Sequence, residues 1–174
     1  MVPSSSVLIS RLVYSVLLFS FDAQVFGQNA NSSATVCADN GSDWYTDFVG
    51  ETPCATYQRL RQVCSSQYEL GILDTTAIPG DDCSGESMEC CCNSISFALS
   101  MLCMTCQRGL GPSEEGYDAL SGSYGNYLKT SWISVCSPVT NQKLPSDIQE
   151  GVCDNRIRIF DNLYSLFWDD GSWS

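Results

Sequence analysis

The sequence predicts an all-α, disulfide-rich fold: a small bundle of four or five helices around one buried central helix at about 87–108. Three observations lead there. Cys90, Cys91 and Cys92 head a run of eighteen uncharged residues that reaches Gln107 and holds two more cysteines, Cys103 and Cys106. Helical caps and helical apolar spacing recur along the chain, whereas alternation over more than a few residues does not. The chain of 174 residues carries eleven cysteines and no histidine, a usage that belongs to oxidising compartments.

The N-terminus reads as a signal peptide at 1–27. Arg11 supplies the positive end, Leu12 to Phe21 the apolar stretch, and Val25 and Gly27 the small residues before a cut after Gly27. The apolar stretch is too short to span a bilayer, which needs about twenty residues. Residues 28–174 then form a single cysteine-rich extracellular domain, large enough to bury an ordinary core. Disulfide candidates are Cys37, Cys54, Cys64, Cys83, Cys90, Cys91, Cys92, Cys103, Cys106, Cys136 and Cys153. Bridges at about 2–4 kcal/mol each exceed what such a core requires, which points to proteolytic or chemically harsh surroundings. The number is odd, so one thiol is either free or joined to another chain, the second case giving a disulfide-linked dimer. Spacing does not fix the connectivity. Sequons at Asn31 and Asn40 are glycosylation candidates and mark surface loops.

The elements follow in order. Residues 28–50 read as irregular, with Trp44, Tyr45 and Phe48 as packing points. A helix starts at the cap Thr52 with Pro53 in its first turn and runs to Cys64, with Tyr57, Leu60 and Cys64 on one side. Gly71, Pro79, Gly80 and Asp81-Asp82 mark a loop. Ser84 or Ser87 opens the central helix and Gly109 ends it. At about 100° per residue, Met88, Cys92, Ile95, Leu99, Leu102, Cys103 and Cys106 share one face, and Cys90, Phe97, Met101 and Met104 lie nearly opposite. A helix apolar on two faces is buried between partners. The triplet cysteines point about 100° apart on a helix, so each must reach a different neighbour. Five cysteines, Asn93, several serines and Gln107 disfavour reading this run as a membrane span, because hydrocarbon leaves such groups unsatisfied.

Residues 111–126 read as a loop, followed by a third helix around Ser123 to Cys136. Leu144-Pro145-Ser146-Asp147 opens a short helix with Ile148 and Val152 inward and Cys153 near its end. Ile157 and Ile159 suggest a brief strand, with helix again from Asp161.

The absence of histidine removes the commonest general base, the Ser-His-Asp and Cys-His nucleophile systems and histidine-based zinc sites. Cys103-Met104-Thr105-Cys106 is a CxxC. It lies at the C-terminal end of its helix, where the dipole opposes a thiolate, so structural bridging is expected rather than redox catalysis. Four-thiolate zinc needs a reducing compartment. The acid pairs Asp81-Asp82, Glu114-Glu115 and Asp169-Asp170 read as solvated loops rather than as the facing carboxylates of a glycosidase. Asp39, Asn40, Asp43 and Asp47 do not fit the spacing of a calcium loop. A net charge of −12 argues against nucleic acid and anionic lipid as partners. The C-terminal aromatics Phe167, Trp168 and Trp173 are a candidate binding patch.

Several segments together resemble a known group. They are Thr56-Tyr57-Gln58-Arg59-Leu60-Arg61-Gln62-Val63-Cys64, Cys90-Cys91-Cys92-Asn93-Ser94-Ile95 with Leu102-Cys103 and Cys106-Gln107, Leu144-Pro145 with Asp147-Ile148-Gln149 and Val152-Cys153, and Phe167-Trp168-Asp169-Asp170-Gly171-Ser172-Trp173. This pattern resembles uncharacterised secreted or membrane-anchored cysteine-rich proteins of basidiomycete fungi. The resemblance implies secretion and a fungal surface setting, and it brings no activity with it. Many such proteins continue from the tryptophan segment into a transmembrane helix, whereas this sequence stops at Ser174. The cysteine spacing of hydrophobins and that of fungal haem-binding eight-cysteine domains are both absent.

The expected function is therefore a secreted, non-catalytic binding or cell-surface module whose partner is an extracellular protein, glycan or lipid. No catalytic, cofactor or metal residues are assigned. The alternatives are a small secreted hydrolase using carboxylates alone, or a helical disulfide cage carrying a sterol or other lipid.

Overall fold

In a computed structural model of the chain, residues 34–76, 79–83, 88–109, 117–130, 133–134, 136, 144–165 and 171–173 are described. The signal peptide, Asn31, the two serines expected to cap the central helix, Phe167 and Trp168 lie outside them. The fold is all-α and disulfide-rich. Its elements are α1 (Asp43–Val49), α2 (Pro53–Cys64), α3 (Met88–Cys91), α4 (Ser94–Arg108), α5 (Ser123–Tyr127), a short antiparallel pair β1 (Lys129–Thr130) and β2 (Ile133–Ser134), α6 (Ser146–Asp154), and a 3-10 turn at Asp161–Tyr164.

The frame is an antiparallel pair, α2 against α4, held at both ends by covalent bonds. Thr52 caps α2 by accepting from the Ala55 N–H at 3.1 Å, with Pro53 behind it. At its start Cys54 is bridged to Cys103 near the end of α4, and at its end Cys64 is bridged to Cys90, just ahead of α4. A third bridge, Cys37–Cys106, fastens the segment before α1 to the same end of α4. Between the bridges Tyr57, Leu60, Ile95, Leu99, Met101 and Met104 are buried. Both faces of α4 are buried, as its two apolar stripes require. Its buried serines are satisfied locally: the Ser100 hydroxyl donates to the Phe97 carbonyl at 2.8 Å within the helix, and the Ser96 hydroxyl donates back to the Cys90 carbonyl of α3.

The central helix is not continuous, which corrects the sequence expectation of one helix over 87–108. It breaks at Cys92–Asn93. Asn93 is extended (φ −151°, ψ 158°) and fully buried. Its side-chain oxygen accepts from the Ser96 N–H at 2.8 Å, capping α4, and its amide donates to the Cys90 carbonyl at 3.0 Å, serving the end of α3. Asparagine is suited to this junction because its short amide satisfies orphan groups on both sides of it. The break frees the three consecutive cysteines from a single helical spiral. Cys90 turns to Cys64, Cys91 to Cys83 and Cys92 to Cys136.

Three further expectations are corrected. Residues 43–49 form a helix, not irregular chain; Gly50 ends it in the left-handed region at φ 95°. The third helix stops at Tyr127 instead of reaching Cys136, because the chain turns into β1 and β2. Ile157 and Ile159 are buried but lie in no strand, and the segment from Asp161 is a 3-10 turn.

Glutamine side chains stitch the loops to the frame. Gln107 accepts from the Leu73 N–H at 2.8 Å and donates to the carbonyls of Ala34 and Gly71 at 2.8 and 3.0 Å. Gln58 accepts from the Leu70 N–H at 3.0 Å. Helix α6 presents Ile148 and Val152 inward as expected. It rides close to α2: a β-carbon at Gly151 would stand 2.5 Å from Val63 Cγ1, so this helical position takes glycine for close approach. Arg59 grips Glu51 with both carboxylate oxygens near 3 Å and donates to the Asn155 carbonyl at 2.6 Å, tying the end of α6 to α2.

Candidate functional site

Two places combine chemistry with access to solvent. The first is a buried polar network that reaches the surface at Asp81. Tyr57, on the inner face of α2, donates its one proton to the Asp81 carboxylate. A neutral phenol has nothing further to give, so its oxygen accepts from Arg61 Nη1 at 2.7 Å and lies 3.1 Å from the Tyr127 hydroxyl. The Tyr127 hydroxyl is also 3.4 Å from Cys91 Sγ, a sulfur already committed to a disulfide. Arg61 stacks on the Tyr68 ring at 4.5 Å and stands 3.5 Å from Asp81. Burial pushes the hydroxyls of Tyr57 and Tyr127 far above their usual range and that of Tyr68 up to about 12, so all three stay neutral and Arg61 stays charged.

Asp81 lines an open depression of about 330 Å³ with Asp74, Pro79, Gly80 and Asp82. Burial raises its carboxyl pKa above the usual 3.8, against the pull of Tyr57 and Arg61. The folded chain therefore holds this proton more tightly than the unfolded one. Asp81's contribution favours folding at low pH and is lost as pH rises through the raised value. Paired urea unfolding curves of wild type and Asp81→Asn should diverge over a window that opens near pH 3.8, wild type losing ground as pH rises. A difference that stays flat with pH would remove burial as the controlling influence. The network does what an anchor does: it closes the core around one cation and one partly solvated carboxylate. Asp74 across the depression is engaged by the Thr76 N–H and hydroxyl, both at 2.8 Å. The other two acid pairs from the sequence, at 114–115 and 169–170, lie outside the described residues.

The second place is an aromatic face on α1. Trp44 and Phe48 are one helical turn apart and remain 50 % and 48 % exposed, so they are not the core packing points expected from sequence; Tyr45, between them, is fully buried. Phe160 supports both rings, with centroids 5.4 Å from Trp44 and 4.9 Å from Phe48 at interplanar angles of 74° and 88°. The Arg158 guanidinium lies over Phe48 at 5.8 Å. Asp43, Asp47 and Asp161, each one residue from a ring of this cluster, are exposed. Tyr164 is 39 % exposed and lies near Cys153. The sequence signal for this site was the spacing of Trp44 and Phe48, which marks one helix face once 43–49 is seen to be helical.

The aromatic patch expected at the C-terminus is only partly described. Trp173 is half-buried. It exchanges backbone hydrogen bonds with Ala119 at 2.7 and 2.8 Å and sets its ring edge-on to Phe97 at 6.5 Å. Trp173 therefore closes the core beside α5.

Among the cysteines, Cys83, Cys92 and Cys136 bring their sulfurs within 4.8 Å of one another. All three are bound in disulfides, Cys83 to Cys91 and Cys92 to Cys136, so the grouping is a junction of two bridges. Cys103 and Cys106 likewise bridge to separate partners instead of forming a redox pair. Among the described residues Cys153 is the one free thiol, exposed at the end of α6, and is the odd cysteine that the sequence leaves either free or available to another chain. Asn40 is exposed three residues ahead of α1, open to glycosylation. Among the described residues no helix is long and apolar enough to cross a membrane.

The chain matches no protein-family model, no curated protein and no solved structure.

Proposed function

We propose that the chain is a secreted, non-catalytic binding protein that meets its partner at a cell surface or cell wall through the α1 aromatic face. One observation carries this reading: two large rings, a turn apart and half-exposed, stand on a frame cross-linked by five disulfides. Exposed clustered aromatics on an otherwise closed core mark interaction surfaces, and a rigid support lowers the entropic cost of ordering them. The oxidised cysteines fit an extracellular setting, and the resemblance to secreted fungal cysteine-rich proteins fits the same setting. The test is retention on arrays of wall polysaccharides, peptides and lipids by wild type and by Trp44→Ala/Phe48→Ala, with near-ultraviolet circular dichroism to confirm folding. The double variant should fold and lose binding by roughly a hundredfold, as anchors in an interface do. Binding that survives the change rejects this surface.

A carboxylate-dependent hydrolase is the second reading, favoured by one observation: Asp81 holds a raised pKa in a depression that it shares with Asp74. Turnover of a polysaccharide, peptide or ester that Asp81→Asn abolishes would replace the binding reading with this one.

A further inference from the structure

We infer that the α1 face takes a cationic peptide segment, one that presents lysine or arginine side chains. This rests on the binding reading above and names its partner class. The first argument is shape. The rings of Trp44 and Phe48 each stand edge-on to Phe160, at 74° and 88°, which holds both in place with about half of each exposed. A compact cation needs only one such ring face with a carboxylate nearby. The second argument is charge. Asp43 and Asp47 precede the two α1 rings by one residue each and Asp161 follows Phe160, all exposed, on a chain of net charge −12. The third is an internal precedent. Arg158 already lays its guanidinium over Phe48 at 5.8 Å, so this ring accepts a cation, and Arg158 occupies a position that an incoming lysine or arginine would share.

That competition makes the proposal specific. Losing Arg158 uncovers the Phe48 ring for any ligand, but only a cationic one is also relieved of a like charge, so the basic peptide should gain more than its neutral counterpart. The probe is a fluorescein-labelled peptide alternating arginine or lysine with glycine, and its counterpart with glutamine at the basic positions. Both are titrated with the full secreted protein by fluorescence anisotropy, at low and at physiological ionic strength. The basic peptide should bind at least about tenfold more tightly than the glutamine peptide, and salt should weaken it. Asp43→Asn/Asp47→Asn should weaken binding by roughly five- to tenfold and Arg158→Ala should strengthen it by roughly threefold, in line with partly exposed charge pairs. Asp147→Asn/Glu150→Asn, which removes the same charge from the exposed side of α6, should leave the affinity within about twofold.

Equal affinity for the two peptides, weaker binding by Arg158→Ala, or equal losses from the two acid pairs would each overturn the cationic assignment. If a neutral ligand binds through Trp44 and the basic peptide does not, the cationic assignment fails and the binding face stands. If nothing that binds depends on Trp44 or Phe48, both fail.

Discussion

Arg61→Ala is expected to destabilise the fold by about 3 kcal/mol, the lower end of the cost of breaking a buried ion pair. Arg61 is only 2 % exposed and its guanidinium serves three groups: the Tyr57 hydroxyl, the Asp81 carboxylate and the face of Tyr68. Removing it leaves Asp81 without its countercharge at a position where burial already raises its pKa. Asp81 keeps one-fifth of its side chain in solvent and can recover some hydration, which holds the loss below the upper end. Arg61→Lys should recover little, because a lysine ammonium lacks the planar fork that stacks on Tyr68 while reaching Tyr57. Arg61→Met/Asp81→Asn should recover most of the loss, since both charges leave together and the methionine stem refills the space. Urea unfolding of the wild type and these three variants at neutral pH measures the differences. A loss under about 1 kcal/mol for Arg61→Ala would mean that the network is solvated.

Arg61 also shows what a sequence withholds. Helix α2 was readable in full because its signals are local: a capping threonine, a proline behind it and apolar residues a turn apart. On that helix Arg61 reads as a charge that points elsewhere than the apolar face. Its burial depends on Tyr127 from α5 and Asp81 from a loop, and no spacing within α2 announces either. The break at Cys92–Asn93 was hidden for the same reason. The apolar run continues through it, and only the need to send three adjacent cysteines to Cys64, Cys83 and Cys136 makes a break favourable. The short α1 was missed although Gly50 and the first-turn Asp43 were visible, because a seven-residue helix is decided by its packing on Phe160 more than by propensity. The exposed aromatic face is hidden with it: where 43–49 reads as irregular, Trp44 and Phe48 are two separate aromatics and not one surface. Both faces of α4 and the inward residues of α6 were legible because burial there follows helical period alone.

Removing the Cys54–Cys103 bridge with Cys54→Ala/Cys103→Ala should cost about 4 kcal/mol, while Cys83→Ala/Cys91→Ala should cost about 2.5 kcal/mol, on the chain-entropy view of a cross-link. The sulfurs are chemically alike; the difference is loop length. The first bridge closes a separation of 49 residues and the second a separation of 8, so the first removes more freedom from the unfolded chain. Burial adds a cost of the same kind to both. Cys54 and Cys103 are both fully buried in the α2–α4 interface, where the lost sulfurs also leave space that stiff neighbours fill poorly. Cys83 and Cys91 are buried as well, so lost packing adds to both losses, and the backbone N–H of Cys83 bonded to the Tyr127 carbonyl at 2.9 Å gives that loop a second tie. Denaturant unfolding of both double variants, with the other bridges verified by non-reducing peptide mapping, gives the comparison. Equal losses, or a larger loss at Cys83–Cys91, would show that local geometry around the cysteine triplet governs stability more than the covalent clamp on α2 and α4.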